Sequence, residues 1–179
     1  CLKIKNFRKF NNLYFLKIET IDQNNFSSFG EIIDKKSASK RISINQGTTK
    51  RYSEISKLNL NENNGDSFVS IFSGKPRPFP IEIKILEKHP LATQTFLPIQ
   101  NFDWLIVVAQ EENNMPSLNT LRCFKVNSEM GVTYKTNTWH HPLLVTKNQD
   151  FWVIDRINNF EKNNENLEEF YFDVKDYVY

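Results

Sequence analysis

Glycine is scarce in this chain, with five among 179 residues. None falls in a G-x-x-x-x-G-K or G-x-G-x-x-G spacing, which removes the common phosphate-cradling loops. Two cysteines, Cys1 and Cys123, are too few for a disulfide framework or a thiolate zinc site, and such sparing use fits a reducing compartment. The longest strongly apolar run, Trp104 to Ala109, falls far short of the roughly 20 residues a spanning helix needs. No charged segment leads into an apolar one at the start, so the reading is no secretory leader, no membrane partner and a cytoplasmic location. The chain begins with cysteine, as a processed lipoprotein does, but a trimmed start is the plainer account. Charge is balanced, 23 Lys and Arg against 21 Asp and Glu, net +2. That leaves no basic stripe, so no nucleic-acid partner is expected. This length suits one domain, with about 70% of the unfolded surface available for burial.

Asparagine, by contrast, is abundant and clusters as Asn24-Asn25, Asn63-Asn64, Asn113-Asn114, Asn158-Asn159 and Asn163-Asn164. Asn tolerates left-handed backbone, so these pairs read as connections between elements. Residues 1–15 mix aromatics with Lys and Arg and read as an N-terminal extension, with one domain over 16–179. Asp22 to Phe29 reads as a short helix capped by Asp22, with Phe26 and Phe29 on one face and Gly30 at the C′ position. The remaining signals are strands. Ile81-Glu82-Ile83-Lys84-Ile85 alternates with period 2. Trp104 to Ala109 and Phe151 to Ile154 are short apolar runs, expected to be buried on both faces. Arg41 to Ile44, Phe68 to Phe72, Leu121 to Val126 and Leu143 to Val145 add further short strands. The pattern predicts an all-β barrel or sandwich, a fold that holds small ligands between its sheets.

Parity in the strand from Ile81 carries the first chemical clue. The odd positions Ile81, Ile83 and Ile85 continue to Glu87 and His89, so an apolar face turns ionisable just before Pro90. A carboxylate and an imidazole two residues apart on one strand face are about 6 to 7 Å apart, suited to acid/base work or metal ligation. A solvated strand end is the plain alternative. His140 and His141 stand side by side in Trp139-His140-His141-Pro142, and on a strand they face opposite ways, one into the core and one outward. Parity does not choose between them. Arg51 and Arg77 lie near turns; a planar guanidinium matches a carboxylate through two parallel hydrogen bonds.

These motifs together resemble the ureidoglycolate lyases. The resemblance rests on Glu87-Lys88-His89-Pro90-Leu91-Ala92-Thr93-Gln94-Thr95-Phe96-Leu97-Pro98, on Gly131-Val132-Thr133-Tyr134, and on Trp139-His140-His141-Pro142-Leu143. It includes Ile44-Asn45-Gln46-Gly47 with Arg51, Ser70-Ile71-Phe72 with Pro76-Arg77, and Asp155-Arg156, and covers roughly residues 16–156.

What the resemblance implies is an all-β, cupin-like double-stranded β-helix, a jelly-roll barrel with one short N-terminal helix, working as a homodimer in allantoin and purine catabolism. The implied activity is a carbon–nitrogen lyase of the amidine-lyase type, splitting (S)-ureidoglycolate into glyoxylate and urea. His89 is then the general base, Glu87 orients it, and His140 or His141 serves the departing urea. Glu87, His89 and Gln94 fall where cupins carry H-x-H-x4-E, with Glu87 replacing the first histidine and Gln94 the closing glutamate. Arg77, Arg51, Asn45 and Tyr134 are the implied substrate-binding residues. The site operates either without a cofactor or with a divalent metal, nickel by family association, whose candidate ligands are Glu87, His89 and His141. Two rivals remain open: a hydrolase on the same substrate releasing ammonia, and a non-catalytic cupin that binds a small carboxylate.

Overall fold

The computed structural model describes residues 7–10, 13–157, 165–172 and 177–178. The chain is all-β, with two large sheets packed face to face and one four-residue helix, Gln23–Phe26. The five-stranded sheet runs Gly30–Ile33, Gly131–Tyr134, Gln94–Pro98, Gln149–Ile157, Asp66–Gly74. The larger sheet runs Glu168–Tyr171, Ile85–Lys88, Trp139–His140, Trp104–Ala109, Arg122–Val126, Ile18–Thr20, with Leu144–Val145 also pairing on Trp104–Ala109. This is the cupin-like all-β architecture, although its two sheets are not joined into one closed hydrogen-bonded barrel. Phe7–Phe10 and Tyr177–Val178 both pair with Leu13–Leu16.

Trp104–Ala109 is buried along its whole length, as its unbroken apolar run predicts. Its even residues Trp104, Ile106 and Val108 enter the core between the sheets, beside Phe96, Phe124 and Phe151. Its odd residues Leu105, Val107 and Ala109 enter a second core on the sheet's other face, with Ile83, Leu86 and Trp139. Phe151 to Ile154 does not behave this way. Phe151 and Val153 are buried, whereas Trp152 is 46% exposed. An apolar run of four residues is too short to distinguish a doubly buried strand from a one-sided strand with an apolar outer face.

The helix is shorter than the sequence predicts. Asp22 does cap it, accepting from the backbone N–H of Asn24 and Asn25, while Asn25 reciprocates to the Asp22 backbone. It stops at Phe26, and Gly30 opens a strand rather than closing the helix. Gly30 is needed for close approach: a Cβ there would lie 2.1 Å from the Thr133 carbonyl oxygen and 2.9 Å from the Phe26 ring. Asn63, Asn64, Asn113 and Asn114 all adopt positive φ, as turn residues should. Asn24 and Asn25 lie in the helix and its cap, and the pairs at 158–159 and 163–164 lie outside the described residues.

Candidate active site

The strand from Ile81 changes phase before it reaches its ionisable end. Ile81, Ile83 and Leu86 all pack into the second core, so the inward parity moves from odd to even between Ile83 and Leu86. The regular strand is only Ile85–Lys88. Glu87 and His89 still share a face, but it is opposite to the one that buries Leu86. They therefore do not continue the Ile81–Ile83 face; they point into a cavity of about 380 Å3. Phe72, Glu87, His89, Gln94, Asp155 and Arg156 are among its lining.

His140 completes the cluster. It pairs directly across from Glu87 in the antiparallel ladder, which places the two side chains on one face. Its Nε2 lies 3.6 Å from Glu87 Oε1, and its ring centroid is 5.4 Å from that of His89. Glu87, His89 and His140 each offer one ligand atom within 4.8 Å of the others. Tyr134 stacks on His140 at 4.2 Å, and burial pushes its phenol well above the ordinary range. His141 is also buried, so neither histidine of the pair is at the surface, contrary to the expectation from alternation. The strand ends at His140, so alternation no longer governs its neighbour; His141 bonds through its backbone N–H to the Val107 carbonyl. His140, not the expected His141, joins Glu87 and His89 as the third potential ligand.

Backbone carbonyls fix how each imidazole is presented. His89 donates from Nδ1 to the Asn166 carbonyl at 2.7 Å, His140 to the Thr138 carbonyl at 2.8 Å, and His141 to the Pro142 carbonyl at 2.7 Å. A carbonyl only accepts, so Nδ1 carries the hydrogen and Nε2 is left to take a proton or a metal. All three Nε2 atoms are buried and have no hydrogen-bond partner among the described residues. Burial, with repulsion from His140, holds the His89 pKa below the ordinary imidazole value. Burial, reinforced by the Arg77 charge, holds His141 down to about 4. Burial pushes Glu87 upward, but its proximity to His140 and the other imidazoles outweighs this and leaves its carboxyl below the usual value.

Two lining residues that the sequence reading gave no role are Asp155 and Arg156. Burial holds Asp155 above the ordinary carboxyl range, only partly offset by a hydrogen bond from Gln94. The signal for Asp155 was available: Phe151, Val153 and Asp155 share one parity, and the first two are core. Arg156 donates from Nε to the Glu62 carbonyl at 2.9 Å and from Nη2 to the Asn63 carbonyl at 3.4 Å. Asn45 and Arg51 stand on an exposed hairpin and Arg77 on an exposed loop; none of the three lines the cavity. Cys123 is buried, its thiol pushed up to about 12, so it offers no thiolate.

The arrangement fits a divalent cation. One carboxylate and two imidazoles have convergent donor atoms, and backbone carbonyls orient the rings as outer-shell partners do in metal sites.

Fold and site thus define a small all-β protein of cupin-like architecture with a carboxylate–imidazole cavity. The family model for ureidoglycolate lyase matches residues 13–178, and the chain belongs to that family. Ureidoglycolate lyase 1 of Rhizobium meliloti is 36% identical over 161 residues, spanning 89% of this chain and 91% of the relative. The ureidoglycolate lyase of Brucella anthropi is 36% identical over 158 residues, 88% and 89% of the two chains. That of Rhizobium etli is 35% identical over 161 residues, 89% and 93%. The match extends through the C-terminal strands, beyond the 16–156 stretch that carries the motifs.

Proposed function

We propose that this chain splits ureidoglycolate into glyoxylate and urea. The observation that carries the reading is the convergence of Glu87, His89 and His140, whose donor atoms lie within 4.8 Å of one another beside a small cavity that Glu87 and His89 line. Ureidoglycolate bears a hydroxyl and a urea nitrogen on one carbon. His89 Nε2 takes the hydroxyl proton, the carbonyl forms, and the C–N bond electrons leave with the urea nitrogen. That nitrogen must receive a proton. We assign this task to Asp155 rather than to His140 or His141, because Asp155 lines the cavity and the two histidines do not. Burial raises the pKa of its carboxyl, which favours the protonated, donating form. The proton on His89 then returns to Asp155 across the Gln94 side of the cavity. Atoms and charge balance without an added reactant. General acid/base help of this kind contributes about 10² to 10⁴ in rate.

Alternatively Glu87, His89 and His140 would hold a divalent metal, nickel by the family resemblance, and His89 Nε2 would then be a ligand instead of the base. Such an ion supplies Lewis-acid polarisation of a bound oxygen. The working form is a cytoplasmic homodimer.

The test mixes purified protein with racemic ureidoglycolate, with and without chelator, and follows glyoxylate, urea and ammonia. Glyoxylate and urea in equal amounts are expected. Ammonia without urea would make it a hydrolase, and tight binding without turnover a binding module.

A further inference from the structure

Two segments far apart in the chain meet at His89. Glu168–Tyr171 pairs antiparallel with Ile85–Lys88, and Glu168 stands opposite Lys88. Phe172 donates its backbone N–H to the Lys84 carbonyl at 3.0 Å. Bonded and open pairs alternate along an antiparallel ladder, so Lys84, Leu86 and Lys88 hold the bonded positions of this one. Continued past Lys88, the register sets Pro90 opposite Asn166 as the next bonded pair. Proline has no N–H to give, so the Asn166 carbonyl loses its ladder donor and the regular strand ends at Lys88.

His89 takes that acceptor instead: its Nδ1 donates to the Asn166 carbonyl at 2.7 Å. Asn166 then reaches past the proline with its side chain, and its Oδ1 accepts from the backbone N–H of Leu91 at 2.9 Å. One residue thus holds the chain on both sides of Pro90, through its main chain at position 89 and its side chain at position 91. Asn166 is 5% exposed and lines the cavity beside His89. The His89 carbonyl is tied as well, accepting from the Asn137 N–H at 3.1 Å.

The segment that carries Asn166 is itself anchored. Buried Lys88 pairs with Glu168 at 3.1 Å and lies 5.0 Å from the centre of the Trp139 ring, and Phe170 meets the same ring edge-on at 6.4 Å. Were residue 90 able to donate, the Asn166 carbonyl would be shared with the ladder and drawn into line with the strand, away from the imidazole. A neutral ring whose Nδ1 loses its acceptor is free to carry its hydrogen on Nε2. That nitrogen could then take neither a proton nor a metal.

We propose that Asn166 is the positioning residue for His89, and that Pro90 makes this possible by leaving the Asn166 carbonyl to the imidazole. Asn166 acts through His89 and not on the substrate: it fixes which ring nitrogen is bare. The role is the same whether Nε2 serves as base or as ligand. The loss of rate expected on breaking it rests on the ureidoglycolate reading; the place of the hydrogen does not.

Proton–nitrogen correlation spectra of the full labelled chain, treated with chelator, read the hydrogen directly, with the His89 signal assigned by its loss in His89→Gln. In the wild type the hydrogen should sit on Nδ1, and in Asn166→Ala it should divide between the two nitrogens. Turnover gives the second readout. Asn166→Ala should lower kcat about 10- to 100-fold with KM unchanged, the usual loss when a partner behind a working imidazole goes. Asn166→Asp keeps an acceptor for the Leu91 N–H, so it should restore the Nδ1 hydrogen and most of the rate. Pro90→Ala adds a donor to the ladder and so should fold, yet it should lower kcat about 2- to 10-fold, the worth of one net hydrogen bond. That variant decides the matter if Asn166→Ala does not fold, because an asparagine that merely held the structure together would leave Pro90→Ala at full rate. A wild-type kcat in either Asn166→Ala or Pro90→Ala overturns the proposal, as does a lost rate with the hydrogen still wholly on Nδ1. If wild-type protein releases neither product from ureidoglycolate, the functional reading fails, and the spectra alone decide the positioning.

Discussion

The cavity and the exposed hairpin of Lys40–Ile44 and Thr49–Ser53 handle polar groups in opposite ways. At the cavity the imidazoles of His89, His140 and His141 are each aimed by a backbone carbonyl, so their presentation is fixed before substrate arrives. On the hairpin, Arg51 and Asn45 are exposed, and Asn45 donates only to its neighbour Thr49 at 3.3 Å. Pre-organisation belongs to the first region and solvent exposure to the second. Substitutions in the cavity should therefore change rate, and substitutions at the periphery should change binding.

The largest effect is expected at His89. His89→Ala should lower kcat by about 10² to 10⁴, the usual loss for a general base, with an unchanged fold. Glyoxylate formation at saturating substrate reads this directly. If a metal is bound, the same variant should also lose affinity for nickel in calorimetry. A wild-type kcat would take His89 out of the reaction and dissolve the contrast between the two regions.

Asp155→Asn comes next, at about 10- to 100-fold in kcat, since the amide fills the same space and cannot protonate the departing nitrogen. The wild-type rate should fall as pH rises through the Asp155 pKa, which burial holds above the ordinary value. The variant should lack that alkaline limb. Retention of the limb in Asp155→Asn would assign the acid elsewhere.

Much of this site was legible in the sequence. Glu87 and His89 two residues apart, and the paired histidines before Pro142, were visible as a pattern. Which imidazole joins them was not, because a strand of two residues, Trp139–His140, gives alternation no length over which to act. The phase change between Ile83 and Leu86 was equally hidden, since an interruption of the ladder leaves no mark in residue type. The acceptor that orients His89, the Asn166 carbonyl, comes from an Asn-rich tail with no apolar periodicity to announce it. Lys88 is buried against Trp139 and paired with Glu111 and Glu168, all long-range contacts that no local rule could anticipate.

Acid should weaken the surroundings of the buried histidines before it weakens the exposed hairpin. His141 is neutral and buried in the fold, with its pKa held down from 6.5 to about 4. The unfolded chain binds that proton below about pH 6.5, the folded chain only below about 4. The stabilisation is therefore complete above 6.5 and is lost as pH falls toward 4, amounting to about 3 kcal/mol. His89, also held below its ordinary value, acts in the same direction. Thermal unfolding from pH 7 to pH 4 should show a falling Tm, and His141→Gln should flatten that slope. An unchanged slope in the variant would place the acid sensitivity elsewhere.

The smallest effect is expected at Arg77, which lies between the two regimes. It sits on an exposed loop outside the cavity lining, yet its charge reaches the buried His141 and helps to lower its pKa. If it also steers the substrate carboxylate, Arg77→Ala should raise KM by about 3- to 10-fold and leave kcat unchanged, since an outlying charge attracts ground state and transition state equally. Salt separates steering from contact. A steering effect should shrink as ionic strength rises and the screening length shortens to about 8 Å at 0.15 M, whereas a direct clamp keeps its effect. A second readout is independent of turnover: removing the guanidinium removes one cause of the low His141 pKa, so the ring should titrate at a higher pH in an NMR titration of Arg77→Ala. A changed KM with an unmoved His141 would mean that Arg77 meets the substrate without touching the buried histidine. An altered kcat would draw it into the chemistry and move the boundary between the two regions outward.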